Sequence, residues 1–195
     1  MQNLKQIRRT IRARRRTLSS REQRRHSRSA ARYFVRNIHL VRSRRIALYL
    51  ASDGELNPQP LAERLLKLNK QLYLPVLRPG SYNALWFAEF RPGDSLHPNR
   101  FGIAEPDTRH RKPVPPWSLD LIIMPLVAFS NDGTRMGMGG GYYDRTLAYQ
   151  RRHKGWVRPT LIGYAHDFQR VKKLKRQTWD VPLHGIITEQ GYQAF

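Results

Sequence analysis

Apolar positions near the start of the chain recur at helical spacing. Leu4, Ile7, Ile11 and Leu18 share one face at steps of three, four and seven, which predicts a helix over residues 3–17. Ser19 and Glu22 then form a capping-box pair. A second helix is expected to about Ile38, with Ala30, Ala31, Phe34, Val35 and Ile38 as its apolar face. The period changes at Arg45. Continuous apolarity to Leu50 predicts a buried strand. Pro58 sits where a missing N–H is harmless and opens a helix carrying Leu61, Ala62, Leu65, Leu66 and Leu68. Gln71 to Leu77 completes a βαβ unit.

Leu85 to Phe90 reads as a strand between Pro-Gly turns. Residues 98–117, with prolines at 106, 113, 115 and 116, predict an ordered loop without regular structure. The run Leu121–Val127 predicts a strand leading into a glycine loop, followed by a helix from Tyr142 to about Arg152. Thr160–Ala165 and Gly185–Thr188 predict two more strands. Alternating strands and helices indicate an α/β fold with a mostly parallel sheet covered on both faces. The 195 residues suit a single domain, 1–195, with a two-helix amino-terminal segment over residues 1–45.

Composition narrows the class. The longest apolar run, Leu119 to Phe129, is interrupted by Asp120 and is too short to cross a bilayer. No apolar h-region follows Met1, so no membrane partner is expected and the cytoplasm is the expected location. The absence of cysteine excludes disulfides and thiolate zinc sites. None of the seven histidines has a metal-ligand spacing. The formal charge is +22, and residues 1–45 hold sixteen Lys and Arg against one acid. That imbalance permits a nucleic-acid surface, but the apolar stripe beneath the charges favours ordinary solvated helices.

One segment carries candidate chemistry. Arg135-Met136-Gly137-Met138-Gly139-Gly140-Gly141-Tyr142-Tyr143-Asp144 places four glycines within five positions between a strand and a helix. Glycine admits positive φ and close approach of a ligand to the backbone. The spacing is neither a P-loop nor the dinucleotide fingerprint. Asp144 fits either a first-turn helix acid or a magnesium ligand beside phosphates. Tyr142 and Tyr143 point different ways on a helix, so one is expected in the core. Lys5 and Arg9 share a helix face. Glu55 follows the first strand, where a turn acid and a ligand contact are both open.

The signature closely resembles the Arg-Leu-Gly-x-Gly-x-Gly-Tyr-Tyr-Asp motif of the 5-formyltetrahydrofolate cyclo-ligase family. Lys5 to Arg9 resembles that family's Lys-x-x-x-Arg helix. Tyr49–Glu55, Phe101–Pro106, Asp120–Pro125, Asp180–Leu183 and Ile186–Glu189 resemble further segments, in family order. The chain departs from the pattern at Phe101, where tryptophan is usual, and at Ala104, where proline is usual.

The resemblance implies a three-layer α/β/α fold like the phosphosugar isomerase and CoA-transferase scaffold. It implies ATP and Mg2+ as cofactors and 5-formyltetrahydrofolate, with or without a polyglutamate tail, as the partner; a monomer is expected, although the sequence does not fix the oligomeric state. By the same resemblance, Arg135 and Lys5 are the catalytic cations. Lys5, Arg9, Arg135, Gly137, Met138, Gly139, Gly140, Gly141, Tyr142 and Tyr143 contact ATP. Leu50, Glu55, Phe101, Met138, Gly139, Gly140, Gly141 and Tyr142 contact the folate, and Asp144 and Asp180 hold the metal. The alternative is a basic nucleic-acid-binding protein on the same fold. A phosphosugar isomerase or transferase is a third reading that fold alone leaves open.

Overall fold

The computed structural model describes residues 3–78, 80, 83–99, 102–109, 111–152 and 158–195. The first helix, α1, spans Leu4–Thr17, and Asn3 caps it by accepting from the backbone N–H of Lys5. The second, α2, spans Ser20–Arg36 and opens with the expected box, Ser19 and Glu22 bonding each other's backbone. It stops two residues early, and a separate turn, α3, covers Ile38–Val41. Strand β1 (Arg45–Ala47), helix α4 (Gln59–Lys67) and strand β2 (Gln71–Leu77) form the βαβ unit, with β1 and β2 paired in parallel. Strand β3 (Leu85–Phe90) turns back antiparallel to β2.

The proline-rich segment is more regular than expected. A small hairpin, β4 (Leu96–Pro98) and β5 (Ala104–Pro106), closes because the Asn99 side chain accepts from the Ile103 backbone at 3.1 Å. The next strand, β6, is Leu121–Met124 and ends before Pro125, which has no N–H to offer a ladder. It does not run into the glycine loop. A second hairpin intervenes, β7 (Ala128–Phe129) with β8 (Arg135–Met136). The expected helix after the loop is two pieces, α5 (Tyr142–Leu147) and α6 (Tyr149–Arg152). Strands β9 (Thr160–Tyr164), β10 (Gly185–Ile187) and β11 (Tyr192–Ala194) complete the fold, and β11 was not visible in the pattern.

Seven strands form one sheet in the order β11-β10-β9-β6-β1-β2-β3. Its interior pairs are parallel, and both edge pairs are antiparallel. Alternation along the strands separates two cores. Ile46, Leu72, Leu121, Ile123, Ile162 and Ile187 face α2 and α4, packing on Ala30, Phe34, Leu61 and Leu65. Ala47, Tyr73, Ile122, Met124, Leu161 and Ile186 face the other way, onto Phe87, Phe129, Leu147 and Val181. This is a three-layer α/β/α arrangement, and it explains why the strands read as continuous apolar runs. Helix α1 lies apart from these layers. Its Ile11 packs on Val127, Ala128 and Met136 of the β7–β8 hairpin. No helix among the described residues is long and apolar enough to cross a membrane.

The turn after β1 is pressed against α1. Gly54 has φ +72°, and an added Cβ would lie 2.7 Å from the Arg15 carbonyl oxygen. Gly93 has φ +89° in open space. Gly54→Ala is therefore expected to destabilise by about 2–3 kcal/mol, combining a left-handed backbone with a clash. Gly93→Ala, with the backbone term alone, is expected to cost about 1 kcal/mol. Denaturant midpoints of the two variants check the difference, and equal midpoints would remove the proposed close contact.

Candidate active site

Chain order reverses at β1. The connection through α4 carries the chain to β2 on one side, whereas β6, β9 and β10 build outward on the other. The carboxyl ends of β1 and β6 therefore flank a topological switch point, where open α/β sheets bind ligands. A cavity of about 1010 Å³ lies there. Tyr49 and Leu50 after β1 line it, as do Pro125 and Leu126 after β6. The glycine segment, the β4–β5 hairpin, residues 174–180, the start of α1 and parts of β2 and β3 also line it.

Arginines fix the glycine loop by its carbonyls. Arg8 Nε donates to Gly137 O at 3.0 Å, and the Arg145 guanidinium donates to Gly140 O. Arg145 also reaches Asn83 O at 2.8 Å and lies over the Tyr142 ring. Added Cβ atoms on Gly137 or Gly139 would meet nothing within 4 Å, so the backbone there is open to close approach. Gly139 and Gly141 have φ +103° and +65°, and Gly141 precedes α5. Tyr143 is the inward tyrosine, packed on the second core, and burial pushes its hydroxyl pKa far up.

Behind the loop lies a buried ion pair. The Arg135 side chain is 5% exposed, and its Nη2 donates to Asp144 Oδ1 at 2.7 Å. The Val181 N–H reaches the same oxygen at 3.3 Å. Arg135 Nε is buried without a hydrogen-bond partner. Asp180 accepts from the Gln177 N–H through Oδ2 at 2.7 Å. Asp144 Oδ2 and Asp180 Oδ1 make no hydrogen bond among the described residues, and both residues line the cavity.

Glu55 lines the cavity from the β1 side. Burial pushes its carboxyl pKa up, against hydrogen bonds from Ser52 and the charge of Arg15. Its neighbour Asp53 behaves oppositely. Burial would raise it too, but Arg12, Arg16 and Arg15 hydrogen-bond to it and hold the carboxyl at about 2. Arg12 Nε approaches to 2.6 Å and Arg15 Nη2 to 2.9 Å, whereas Arg15 Nη1 stays 3.6 Å from Glu55. Asp53 takes the arginines, and Glu55 keeps an edge of the cavity.

The cavity brings together Leu50, Glu55, Arg135, Gly137, Met138, Gly139, Gly140, Gly141, Tyr142, Tyr143, Asp144 and Asp180. Lys5 and Arg9 lie elsewhere. Both are exposed and line a shallower cleft of about 340 Å³ with Arg8, Arg12 and Arg16. Phe101 lies outside the described residues. Sequence reasoning missed Arg8 and Arg15, which stand four residues after Leu4 and Ile11 on the apolar stripe of α1. A cation on such a stripe was the available signal. Glu105 was also passed over, though it lines the cavity and ties the β4–β5 hairpin to β2 by accepting from Leu77 N–H at 3.0 Å. Among the described residues, five of the eight exposed large apolar side chains, Leu4, Leu50, Ile103, Met138 and Trp179, rim this one cavity. Such a concentration marks a binding surface for an apolar or planar ligand.

Residues 1–189 match the model of the 5-formyltetrahydrofolate cyclo-ligase family. The chain is 43% identical over 178 residues to the 5-formyltetrahydrofolate cyclo-ligase of Escherichia coli K12, covering 91% of this chain and 96% of that one. It is 37% identical over 188 residues to the enzyme of Haemophilus influenzae, covering 95% and 97%. Its fold is similar to that of Aquifex aeolicus 5,10-methenyltetrahydrofolate synthetase, with TM-score 0.81, 31% identity, and 98% and 92% of the two chains covered.

The Asp53 cluster has a pH signature. Its folded pKa lies below the ordinary aspartate value of 3.8, so its contribution to stability is complete above about pH 4 and is lost as pH falls through about 2. Thermal denaturation in this window is expected to show a falling limb that Asp53→Asn flattens. A limb unchanged in that variant would locate the acid sensitivity elsewhere.

Proposed function

The chain belongs to the 5-formyltetrahydrofolate cyclo-ligase family and is an enzyme of that kind, and on this premise we propose how its cavity carries out the reaction. ATP and 5-formyltetrahydrofolate bind together there and leave as 5,10-methenyltetrahydrofolate, ADP and phosphate. The observation that carries this reading is Arg135 Nε, a buried cationic donor without a partner, beside the open glycine backbone. A buried donor left unpaired is costly, and a phosphate oxygen would satisfy it.

The formyl oxygen is a poor leaving group. In the proposed scheme it attacks the γ-phosphorus of ATP, the bond to the ADP oxygen breaks, and an imidate phosphate forms. Nitrogen 10 then attacks the activated carbon, the C–O bond breaks, phosphate departs with the electron pair, and the nitrogen 10 proton is lost. Phosphoryl transfer is governed by positioning and charge stabilisation, so the protein's task is to hold and neutralise. The 137–141 backbone and Arg135 would hold the phosphates. Lys5 and Arg9 line a separate cleft on α1 and would add positive charge from outside the cavity.

The donor set also suits magnesium. Asp144 Oδ2 and Asp180 Oδ1 are two free carboxylate oxygens in a cavity proposed to hold phosphates, and magnesium takes one or two carboxylates with phosphate oxygens and water. Bound there, the ion would neutralise phosphate charge. The Arg135 ion pair keeps the Asp144 carboxylate in place for that role. The apolar rim would clasp the folate ring system, with Glu55 accepting from pterin N–H groups.

Formation of methenyltetrahydrofolate, followed by its absorbance, tests the reading. Product is expected only with ATP and magnesium both present. Arg135→Lys keeps the charge but loses the planar fork, and kcat is expected to fall about 100-fold or more. Asp144→Asn is expected to lower turnover strongly with the fold intact. Cyclisation without ATP, or full activity in Arg135→Lys, would overturn the assignment.

A further inference from the structure

Three side chains with metal-ligand chemistry converge outside the cavity. They are His26 on α2, His166 just past β9, and Glu189 just past β10. Their ligand atoms all lie within 4.8 Å of one another, and they are the one such group of three among the described residues. None of them lines the cavity. We propose that His26 Nδ1, His166 Nδ1 and a Glu189 carboxylate oxygen form a site for a divalent metal ion of the zinc class. The ion would tie α2 to the ends of β9 and β10, behind the turn that presents Glu55.

Spacing supports the site. The two Nδ1 atoms are 3.0 Å apart, and His26 Nδ1 is 3.8 Å from Glu189 Oε1. Tetrahedral zinc with bonds of about 2.0–2.1 Å sets its ligand atoms roughly 3.3 Å apart, between these two values. Small side-chain adjustments would suffice.

Orientation supports it as well. His166 Nε2 faces the Gly54 carbonyl at 3.2 Å, and a carbonyl only accepts, so the proton sits on Nε2. His166 is fully buried, which disfavours a second proton and leaves Nδ1 bare, aimed at His26. A metal-binding histidine usually donates its other ring N–H to a carbonyl in this way. Glu189 Oε2 accepts from the Asp167 N–H at 2.9 Å, which leaves Oε1 turned toward His26. The Glu189 and His26 side chains are 9% and 13% exposed, so an ion can enter from the His26 side.

Two imidazoles and one carboxylate favour zinc, cobalt or nickel over magnesium, which prefers oxygen alone. Without an ion, His26 must donate its Nδ1 proton to His166. On metal binding that proton moves to His26 Nε2, and both rings remain neutral. A water would fill the fourth position. Because His166 also holds Gly54, an occupied site would stiffen the Asp53–Glu55 turn from behind.

The test uses tag-free full-length protein stripped of metal, without ATP or folate. Titration with Co2+, followed by the visible absorption of tetrahedral cobalt and reversed by Zn2+, is expected to show one site per chain. His26→Ala and Glu189→Gln are each expected to weaken Zn2+ binding at least about tenfold. His97→Ala, at an exposed histidine, should leave binding unchanged. Zn2+ should raise Tm in the parent protein and not in His26→Ala. Imidazole NMR signals of His26 and His166 should shift in the parent protein, a readout that does not depend on any variant folding. No cobalt absorption, equal affinity in Glu189→Gln, or shifts confined to other histidines would overturn the proposal.

Discussion

Burial of the Arg15 guanidinium against the turn after β1 is the constraint on which the rest of the site depends. The side chain is completely buried, and its Nε and Nη1 make no hydrogen bond. A charge in that position is tolerable only if paired. Asp53 is the partner, and it also binds Arg12 and Arg16. Three arginines from one helix on one carboxylate lock α1 against the Asp53-Gly54-Glu55 turn. The close approach of Gly54 to the Arg15 carbonyl leaves no room for the helix to slide. Two turns upstream, Arg8 then falls onto Gly137 and Leu4 onto the cavity rim. The turn and the glycine loop, from opposite sides of the switch point, are thus held by the same helix.

This arrangement gives the basic amino-terminus a structural explanation. Arg8, Arg12, Arg15 and Arg16 satisfy carbonyl or carboxylate groups on other elements, and Arg14 stacks over Phe168 at 4.4 Å. These residues bind the chain to itself, which is a use of positive charge different from a nucleic-acid surface. Lys5 and Arg9 remain exposed in the separate cleft on α1.

The layers were legible because the sheet's interior strands are buried on both faces and read as unbroken apolar runs. Gln71–Leu77 and Leu85–Phe90 matched in full. The hairpins were hidden. Pro125 ended β6 inside an apolar run, and the two-residue strands β7 and β8 are too short for any period to register. Strand β11, three residues of mixed polarity at an edge, gave no alternation to read. At the site, the glycine signature announced itself through composition. Arg8 and Arg15 left only the trace of a cation on the apolar stripe of α1, and tertiary pairing decides which of the helix's arginines turn inward. Tertiary structure alone also pairs His26 with His166, which are 140 positions apart in the chain and 3.0 Å apart in the fold.

Backbone amide exchange in Arg15→Met compared with the parent protein tests the central claim most directly. Methionine keeps the apolar stem and removes the charge that Asp53 holds. If Arg15 docks α1 over the switch point, residues 52–56 and 137–141 should lose protection together, although they lie more than eighty residues apart. Loss confined to the 52–56 turn, or no loss at either segment, would contradict the account.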